Sequence, residues 1–411
     1  MSAKLTAPRG TFDVLPAQSE LRRRLEQAAR DVLEPAGYGR IETPAFEATE
    51  LFARGVGEAT DIVQREMYSF DDGGGRSLTL RPEGTAPVCR AYVEHGMHKL
   101  PAPVKLYYVG SFFRAERPQA GRYRQFSQVG AEALGSEDPA LDAESILLLH
   151  QLLTRLDATG LRLRLSSLGS PSTRAAYREE LATYLHAHEA QLAPHVRDRI
   201  DLNPLRAFDS DDPGTRQVMS AAPRLLDRLT NADAEHFKEV LRLLDRADIA
   251  YEIDWTLVRG LDYYTRTLFE FTSDALGAQS GVAGGGRYDG LVELLGGPPT
   301  PGIGWAAGIE RVLLATGEQN TLTDTPLDLY VAHEGARVDA FELTREARAA
   351  GLRAEMELAG RSLKGQLKHA ERLNARYVAI LQPDSARLRD REAGTERAIA
   401  RDDVVSQVRS S

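Results

Sequence analysis

Leu257–Phe271, LVRGLDYYTRTLFEF, restricts the folds open to this chain more than any other stretch. Val258, Leu261, Leu268, Phe269 and Phe271 offer the apolar surface of a half-buried strand. Arg259, Asp262, Tyr263, Tyr264 and Arg266 place polar groups in the same segment. Buried polar groups must find partners, so such a mixture does not by itself stabilise a fold. The segment reads either as an edge strand with a solvated, tyrosine-rich face or as one wall of a binding site. Glycine-rich and arginine-containing segments on both sides of it favour the wall.

A chain of 411 residues is long enough for two or three domains. Its longest apolar runs are far too short to span a bilayer, and the N-terminal MSAKLTAPRG has no apolar core of a secretory signal. The single cysteine, Cys89, forms no internal disulfide and reads as a small core residue, which fits a reducing, cytoplasmic compartment. A net charge of −9 argues against a protein that coats nucleic acid nonspecifically, though not against a local basic surface. The nine histidines show no metal-ligand spacing, so no side-chain metal site is expected.

Along the chain, Ala17–Leu33 has the spacing of an amphipathic helix. Asp72–Gly75 reads as a hairpin turn between strands Glu66–Phe70 and Ser77–Leu80. Val104–Phe113 and Gln125–Leu134 read as strands joined by a polar loop, Arg114–Arg124, and Asp142–Leu156 as an apolar helix. From about Ser170 to Leu244 the chain is mostly helical and carries no recognisable chemical motif, as an inserted module would. Strand-like sequence resumes at Ala250 and continues through Phe271. Gly284–Leu295 reads as a glycine turn opening a helix, and Gly302–Ala315 as a strand entering another. Glu318–Thr325 looks like a linker. Beyond it, strand and helix alternate from Leu327, with one more short helix in the tail, which predicts a small α/β domain with a mainly parallel sheet.

Three segments carry chemistry. In YYVGSFFRAERPQAGRYRQFSQVGAE, Tyr107–Glu132, Arg114 ends a strand and Arg117, Arg122 and Arg124 follow. Guanidinium at a strand end offers fixed bidentate donors to a phosphate, and Phe126 offers a face to a base. Gln128 and Glu132 point the same way on the returning strand, where an amide and a carboxylate suit a substrate ammonium. In GIGWAAGIERVLL, Gly302–Leu314, Glu310 and Arg311 stand where a strand becomes a helix, with Arg311 placed to lie against a nucleotide. No acidic residue follows at the distance a dinucleotide fingerprint requires. Together with Leu257–Phe271 these segments describe a nucleotide-using active site.

The stretch with Pro44, the arginine hairpin and the glycine–Glu310–Arg311 segment, in that order, resemble the three motifs of class II aminoacyl-tRNA synthetases. LRPEGTAP at Leu80–Pro87, LVRGLDYYTRTLFEF at Leu257–Phe271, AGGGRYDGL at Ala283–Leu291 and RGTFDVLP at Arg9–Pro16 narrow the resemblance to the histidyl-tRNA synthetase family. GRSLKGQLKHAERLNARYVAIL, Gly360–Leu381, resembles that family's anticodon-binding domain. The likeness covers nearly the whole chain and is weakest over the helical insertion.

The resemblance implies an α+β catalytic core over 1–322, a class II mainly antiparallel sheet with flanking helices. Within it 170–245 is a helical insertion gripping the acceptor arm, and 326–411 is an α/β anticodon-binding domain. It implies activation of L-histidine by ATP with Mg²⁺, then transfer of the histidyl group to the 3′ end of the tRNA for histidine, by a cytoplasmic homodimer. Carried onto matching positions, Glu83 and Tyr264 would contact the imidazole, beside Gly84. Thr85, Gln128 and Glu132 would hold the ammonium, and Tyr263 and Tyr288 would line the histidine pocket. Arg259 and Arg114 would act on the α-phosphate as the catalytic pair. Phe126 and Arg311 would sandwich adenine, and Arg122 would complete the ATP site. Mg²⁺ would bridge the ATP phosphates through phosphate oxygens and water. The alternatives are a non-catalytic regulatory subunit of ATP phosphoribosyltransferase, which is a paralogue of the family, and a class II synthetase for proline, glycine or threonine.

Overall fold

The computed structural model describes residues 4–57, 60–119, 121–257, 261–277, 280–317 and 326–410. The chain folds as two compact units, Met1–Gln319 and Asn320–Ser411.

The first unit is built on an eight-stranded sheet. Its strands in chain order are β1 (Gly39–Arg40), β5 (Val104–Phe113), β6 (Gln125–Leu134), β7 (Leu161–Ser167), β8 (Glu252–Ile253), β9 (Thr265–Ser273), β10 (Gly281–Arg287) and β11 (Gly302–Gly308). A separate antiparallel sheet is formed by β2 (Phe46–Ala48), β3 (Tyr68–Asp71) and β4 (Ser77–Leu80). In the large sheet the order is β1-β5-β6-β11-β10-β9-β7-β8. Only the outermost pairs, β1 with β5 and β7 with β8, are parallel; the five pairings between them are antiparallel. This is the mainly antiparallel core expected.

Period-two patterning gives the sheet two unlike faces. Val129, Ala131 and Ala133 of β6, Ile303 and Ala307 of β11, and Phe269 and Phe271 of β9 enter one apolar core. Helices α1 (Pro16–Leu33), α4 (Pro139–Arg155) and α10 (Ile309–Ala315) supply Leu25, Ile146 and Val312 to it. The alternate residues of β6, Gln128, Gly130 and Glu132, face the other way. On that side lies α3 (Thr85–Glu94), reached from α2 (Thr49–Val56) through the Ile62–Glu66 turn and the small sheet.

The helical stretch begins with α5 (Pro171–Ala187), continues through the short α6 (Pro194–Arg197) and α7 (Pro213–Ser220), and ends with α8 (Asn231–Arg246). The earlier helices share an apolar cluster with Tyr264 and Leu268. α8 instead sends Phe237, Val240 and Leu244 into the main core.

Two expectations fail. The strand from Ala250 through Phe271 is interrupted. Ile253 ends β8, Asp254 caps a turn by accepting from Thr256, and among the described residues pairing resumes at Thr265. Gly284–Gly286 form no turn. They lie in β10 between β9 and β11, and the helix α9 is only Leu291–Leu294. Glycine is used here for close approach: a Cβ on Gly285 would meet the Gly304 carbonyl at 2.0 Å, and one on Gly286 the Thr267 carbonyl at 2.6 Å.

The second unit has a five-stranded sheet, ordered β13-β12-β14-β15-β16. Its strands are β12 (Leu329–His333), β13 (Ala354–Met356), β14 (Tyr377–Gln382), β15 (Ser385–Asp390) and β16 (Thr395–Ala398). α11 (Arg337–Ala349) and α13 (Val404–Arg409) supply apolar residues to one cluster, and α12 (Leu363–Arg372) to another. The parallel part ends at β14. β15 and β16 add antiparallel strands where patterning predicts only a short helix. Exposed ion pairs, Arg387 and Arg389 with Glu396, link these strands, and only the alternate Ala386 and Leu388 of β15 enter the core, so the apolar signal is short.

Candidate active site

A cavity of about 650 Å³ opens on the β6–β11–β10 face, walled by α3, the Arg114–Arg124 loop and Tyr263–Tyr264. At its back is Glu132, with no exposed surface. Thr85 Oγ1 donates to Glu132 Oε1 at 2.7 Å, and Tyr288 OH to Oε2 at 2.6 Å. The Tyr108 hydroxyl donates more weakly, at 3.4 Å. No cation among the described residues pairs with Glu132. Burial pushes its carboxyl up to about 8, against the pull of the hydroxyl donors. Beside it, Gln128 Oε1 is buried with no hydrogen-bond partner. A buried acid without a cation and an orphaned amide oxygen on the same strand face make a receptor for an ammonium group.

Glu83 lies just before α3 and accepts from the backbone N–H groups of Thr85 at 2.7 Å and Ala86 at 3.0 Å. Burial raises its pKa, and those N–H groups pull it back. The bonds fix the carboxylate plane and leave acceptor capacity directed at the cavity, as a ring N–H would require. Tyr263 and Tyr264 stack edge to face at 4.8 Å between centroids, and Tyr263 meets Tyr288 at 5.8 Å. Tyr288 is 1% exposed and sits behind Glu132 rather than on the cavity wall.

On the wall beside Glu83, Arg114 Nε donates to the Pro82 carbonyl at 3.0 Å, and its guanidinium lies 5.4 Å from the Phe126 ring centroid. No carboxylate among the described residues is within ion-pair reach of Arg114. Arg122 is half exposed, with Glu116 at 3.7 Å. Arg311 donates from Nε to the Gly281 carbonyl and lines the same cavity as Phe126. Burial lowers its pKa. The cavity is therefore lined both by cationic and aromatic groups and by carboxylates and phenols, as a phosphate-bearing nucleotide and a small amine would need. Arg259 lies outside the described residues.

Tyr108 reads as core and lies in a core cluster, 5% exposed; spacing points neither to its hydroxyl's contact with Glu132 nor to the glycines that make room for the site. Tyr108 is wedged between Gly84 and Gly130, where a Cβ on either would meet its ring at 2.3 Å. A Cβ on Gly304 would fall 1.7 Å from Glu132 Oε2, and one on Gly302 2.3 Å from the Tyr288 ring. The signal that could reveal them is the alternation of glycines on strands paired across from polar residues. Behind the site, Arg287 and Asp142 form an ion pair at 2.7 Å with neither side chain exposed.

Comparison with known proteins agrees with this geometry. A family model described as histidyl-tRNA synthetase matches residues 10–312, and one described as anticodon binding domain matches residues 329–411. A histidine–tRNA ligase of Desulfitobacterium hafniense is 50% identical over 378 residues, 91% of this chain and 89% of that protein. One from Desulforamulus reducens is 47% identical over 410 residues, 97% and 98% of the two chains. The apo histidyl-tRNA synthetase of S. aureus superposes with a TM-score of 0.82 at 35% identity, covering 98% of this chain and 100% of that one. A Bacillus halodurans protein described as an ATP phosphoribosyltransferase regulatory subunit/histidyl-tRNA synthetase shares the fold, with a TM-score of 0.68 at 21% identity over 93% of this chain and 99% of its own. With family models spanning both units and relatives this similar over nearly their whole length, the chain belongs to the histidyl-tRNA synthetase family.

Proposed function

We propose that this chain is a histidine–tRNA ligase. It joins L-histidine to ATP as histidyl-adenylate, releasing pyrophosphate, and passes the histidyl group to the 3′ end of the tRNA for histidine. The observation that carries the reading is Glu132: fully buried, paired with no cation among the described residues, held by Thr85 and Tyr288, beside the unpartnered Gln128 oxygen. In this reading Glu132, Gln128 and Thr85 take the ammonium. Glu83 and Tyr264 take the two sides of the imidazole, with Gly84 and Tyr263 shaping the pocket and Tyr288 holding Glu132 from behind. A pocket that satisfies both ring nitrogens rejects other amino acids by leaving its own buried groups unpaired.

Arg114 and Arg259 serve the α-phosphate. Phe126 and Arg311 hold adenine, and Arg122 serves the outer phosphates. Adenylate formation needs positioned reactants and fixed positive charge more than covalent help. Among the described residues no three His, Cys, Asp or Glu side chains are grouped to hold a metal ion. Mg²⁺ would come with ATP rather than be held by a side-chain site, and would offset charge on the phosphates. The reading includes a homodimer built on α1 and the stretch with Pro44, which lies between β1 and β2, a helical insertion at 170–245 in a catalytic domain spanning 1–322, and anticodon contacts from 326–411. No described helix is long and apolar enough to cross a membrane, and a cytoplasmic location completes the proposal.

The test is amino-acid-dependent exchange of pyrophosphate into ATP, with each common amino acid in turn and tRNA left out. Exchange with histidine alone is expected. Exchange with proline, glycine or threonine instead would replace the substrate. No exchange with any amino acid from a folded protein would favour the regulatory paralogue.

A further inference from the structure

We infer that the N-terminal segment Arg9–Phe12 is a strap that positions the arginine loop 114–124 for ATP, with Gly10 and Phe12 as positioning residues. The inference rests on the ATP-dependent reading above. Residues 4–15 form no helix or strand before Pro16–Leu33 apart from a turn at Arg9–Gly10, and nearly all are exposed; only Gly10 and Thr11 are half-buried. The segment nevertheless has a defined shape. Thr11 donates from its N–H at 3.0 Å and its hydroxyl at 2.8 Å to the Pro8 carbonyl, closing a tight turn with Gly10 at φ +86°. Positive φ at the third residue of a turn is the type II pattern, which selects glycine.

That turn docks on the loop. Arg124 N–H donates to the Gly10 carbonyl at 2.7 Å, and Arg114 N–H donates to the Arg124 carbonyl at 2.9 Å. Two consecutive backbone bonds thus run from the strap to Arg114, the α-phosphate ligand of the proposed reaction. Packing fits the same contact. A Cβ on Gly10 would lie 2.8 Å from both Arg124 Cγ and Pro118 Cγ, so no other residue allows the approach. The Phe12 and Tyr123 rings lie 4.5 Å apart, and the Arg22 guanidinium lies 5.8 Å from the Phe12 ring centroid. Arg22 in turn donates to Ser127 Oγ at 2.7 Å and to Glu310 Oε1 at 2.5 Å, beside Phe126 and Arg311. A loop whose arginines must meet phosphate gains affinity by being ordered beforehand, and the strap supplies that order.

The test uses full-length Phe12→Ala and Gly10→Ala, with Phe12→Tyr as the conservative control. Histidine-dependent pyrophosphate exchange should show the Michaelis constant for ATP raised about tenfold, the scale of losing one or two preordered side chains. The Michaelis constant for histidine and the melting temperature should stay near wild type, and Phe12→Tyr should restore the ATP value. Trypsin should cut faster after Arg122 and Arg124 in both alanine variants, with ATP slowing the cut. Unchanged ATP constants would overturn the strap whatever the cleavage rates. Parallel rises in both constants with a lower melting temperature would overturn it in favour of general unfolding. If the wild-type protein shows no exchange, the proposed reaction fails, yet loop cleavage still reports whether the strap holds the loop.

Discussion

Histidine binding should release a proton near pH 7, and Glu132 is the reason. Its carboxyl sits at about 8 in the empty site because burial disfavours the charge. An arriving ammonium needs the ionised form. With a pKa near 8, only about a tenth of the sites are ionised at pH 7 and about half at pH 8. Binding at pH 7 should then expel about 0.9 proton from this group, and affinity should rise roughly fivefold from pH 7 to 8. The imidazole of the free amino acid is mainly neutral above about 6.5, so it adds little to that slope. Titration calorimetry in two buffers of different ionisation enthalpy reads the proton count directly. The release from Glu132 should vanish in Glu132→Gln, together with most of the affinity. A buffer-independent enthalpy at pH 7, or one unaltered by Glu132→Gln, would refute the ammonium assignment.

The same group sets a sign for stability. Glu132 holds its proton more tightly folded than unfolded, so its contribution is fully present below about 4.5 and falls as pH rises towards 8; thermal melts of the empty protein should show that loss, reduced by saturating histidine. Gly304→Ala should abolish histidine activation and destabilise by about 1–3 kcal/mol or more, because its Cβ would fall 1.7 Å from Glu132 Oε2; urea unfolding beside the exchange assay checks both. Asp142→Asn should destabilise by removing the closer of two carboxylates from the buried Arg287, by less than the about 3–5 kcal/mol of a fully unpaired charge because Asp289 stays at 3.1 Å, while Asp142→Leu with Arg287→Met should recover much of it. Glu83→Gln should raise the Michaelis constant for histidine and leave that for ATP near its wild-type value; an unchanged histidine constant would sink the imidazole assignment.

Much of the fold and site is legible in the sequence because the signals are local. The helix at Ala17–Leu33 and the strands Val104–Phe113 and Gln125–Leu134 follow from spacing, and Gln128 and Glu132 share a face by period two. The Asp72–Gly75 hairpin follows from turn chemistry: Asp72 Oδ1 accepts from Gly74 and Arg76, and Gly75 has φ +75°. The rest depends on partners distant in sequence. Gly284–Gly286 read as a turn because glycine usually marks one. Their role as strand emerges only when β11 is laid beside them. Tyr108 reads as core and is core, but nothing local shows that Gly84 and Gly130, on different elements, leave the slot for its ring. β15 and β16 stay hidden because the apolar signal is short: only Ala386 and Leu388 of β15 are buried, and β16 is exposed throughout.

The glycines also explain how a fold tolerates a buried acid. Strands β10 and β11 at the centre of the sheet contribute little side-chain cohesion on the cavity face, since Gly284, Gly286, Gly302 and Gly304 have none. That space is filled by Tyr288 and Glu132, whose hydroxyl–carboxylate bond replaces apolar packing. The opposite face carries the compensation: Trp305, Phe269 and Phe271 are each at most 2% exposed in the main core. Stability is therefore concentrated on the side without chemistry. Enlarging a glycine on the cavity face should damage activity first, whereas trimming Phe269 or Phe271 to alanine should cost about 3–5 kcal/mol of folding before it alters the pocket. The two faces of one sheet are separable by mutation because the period of a strand keeps their side chains apart.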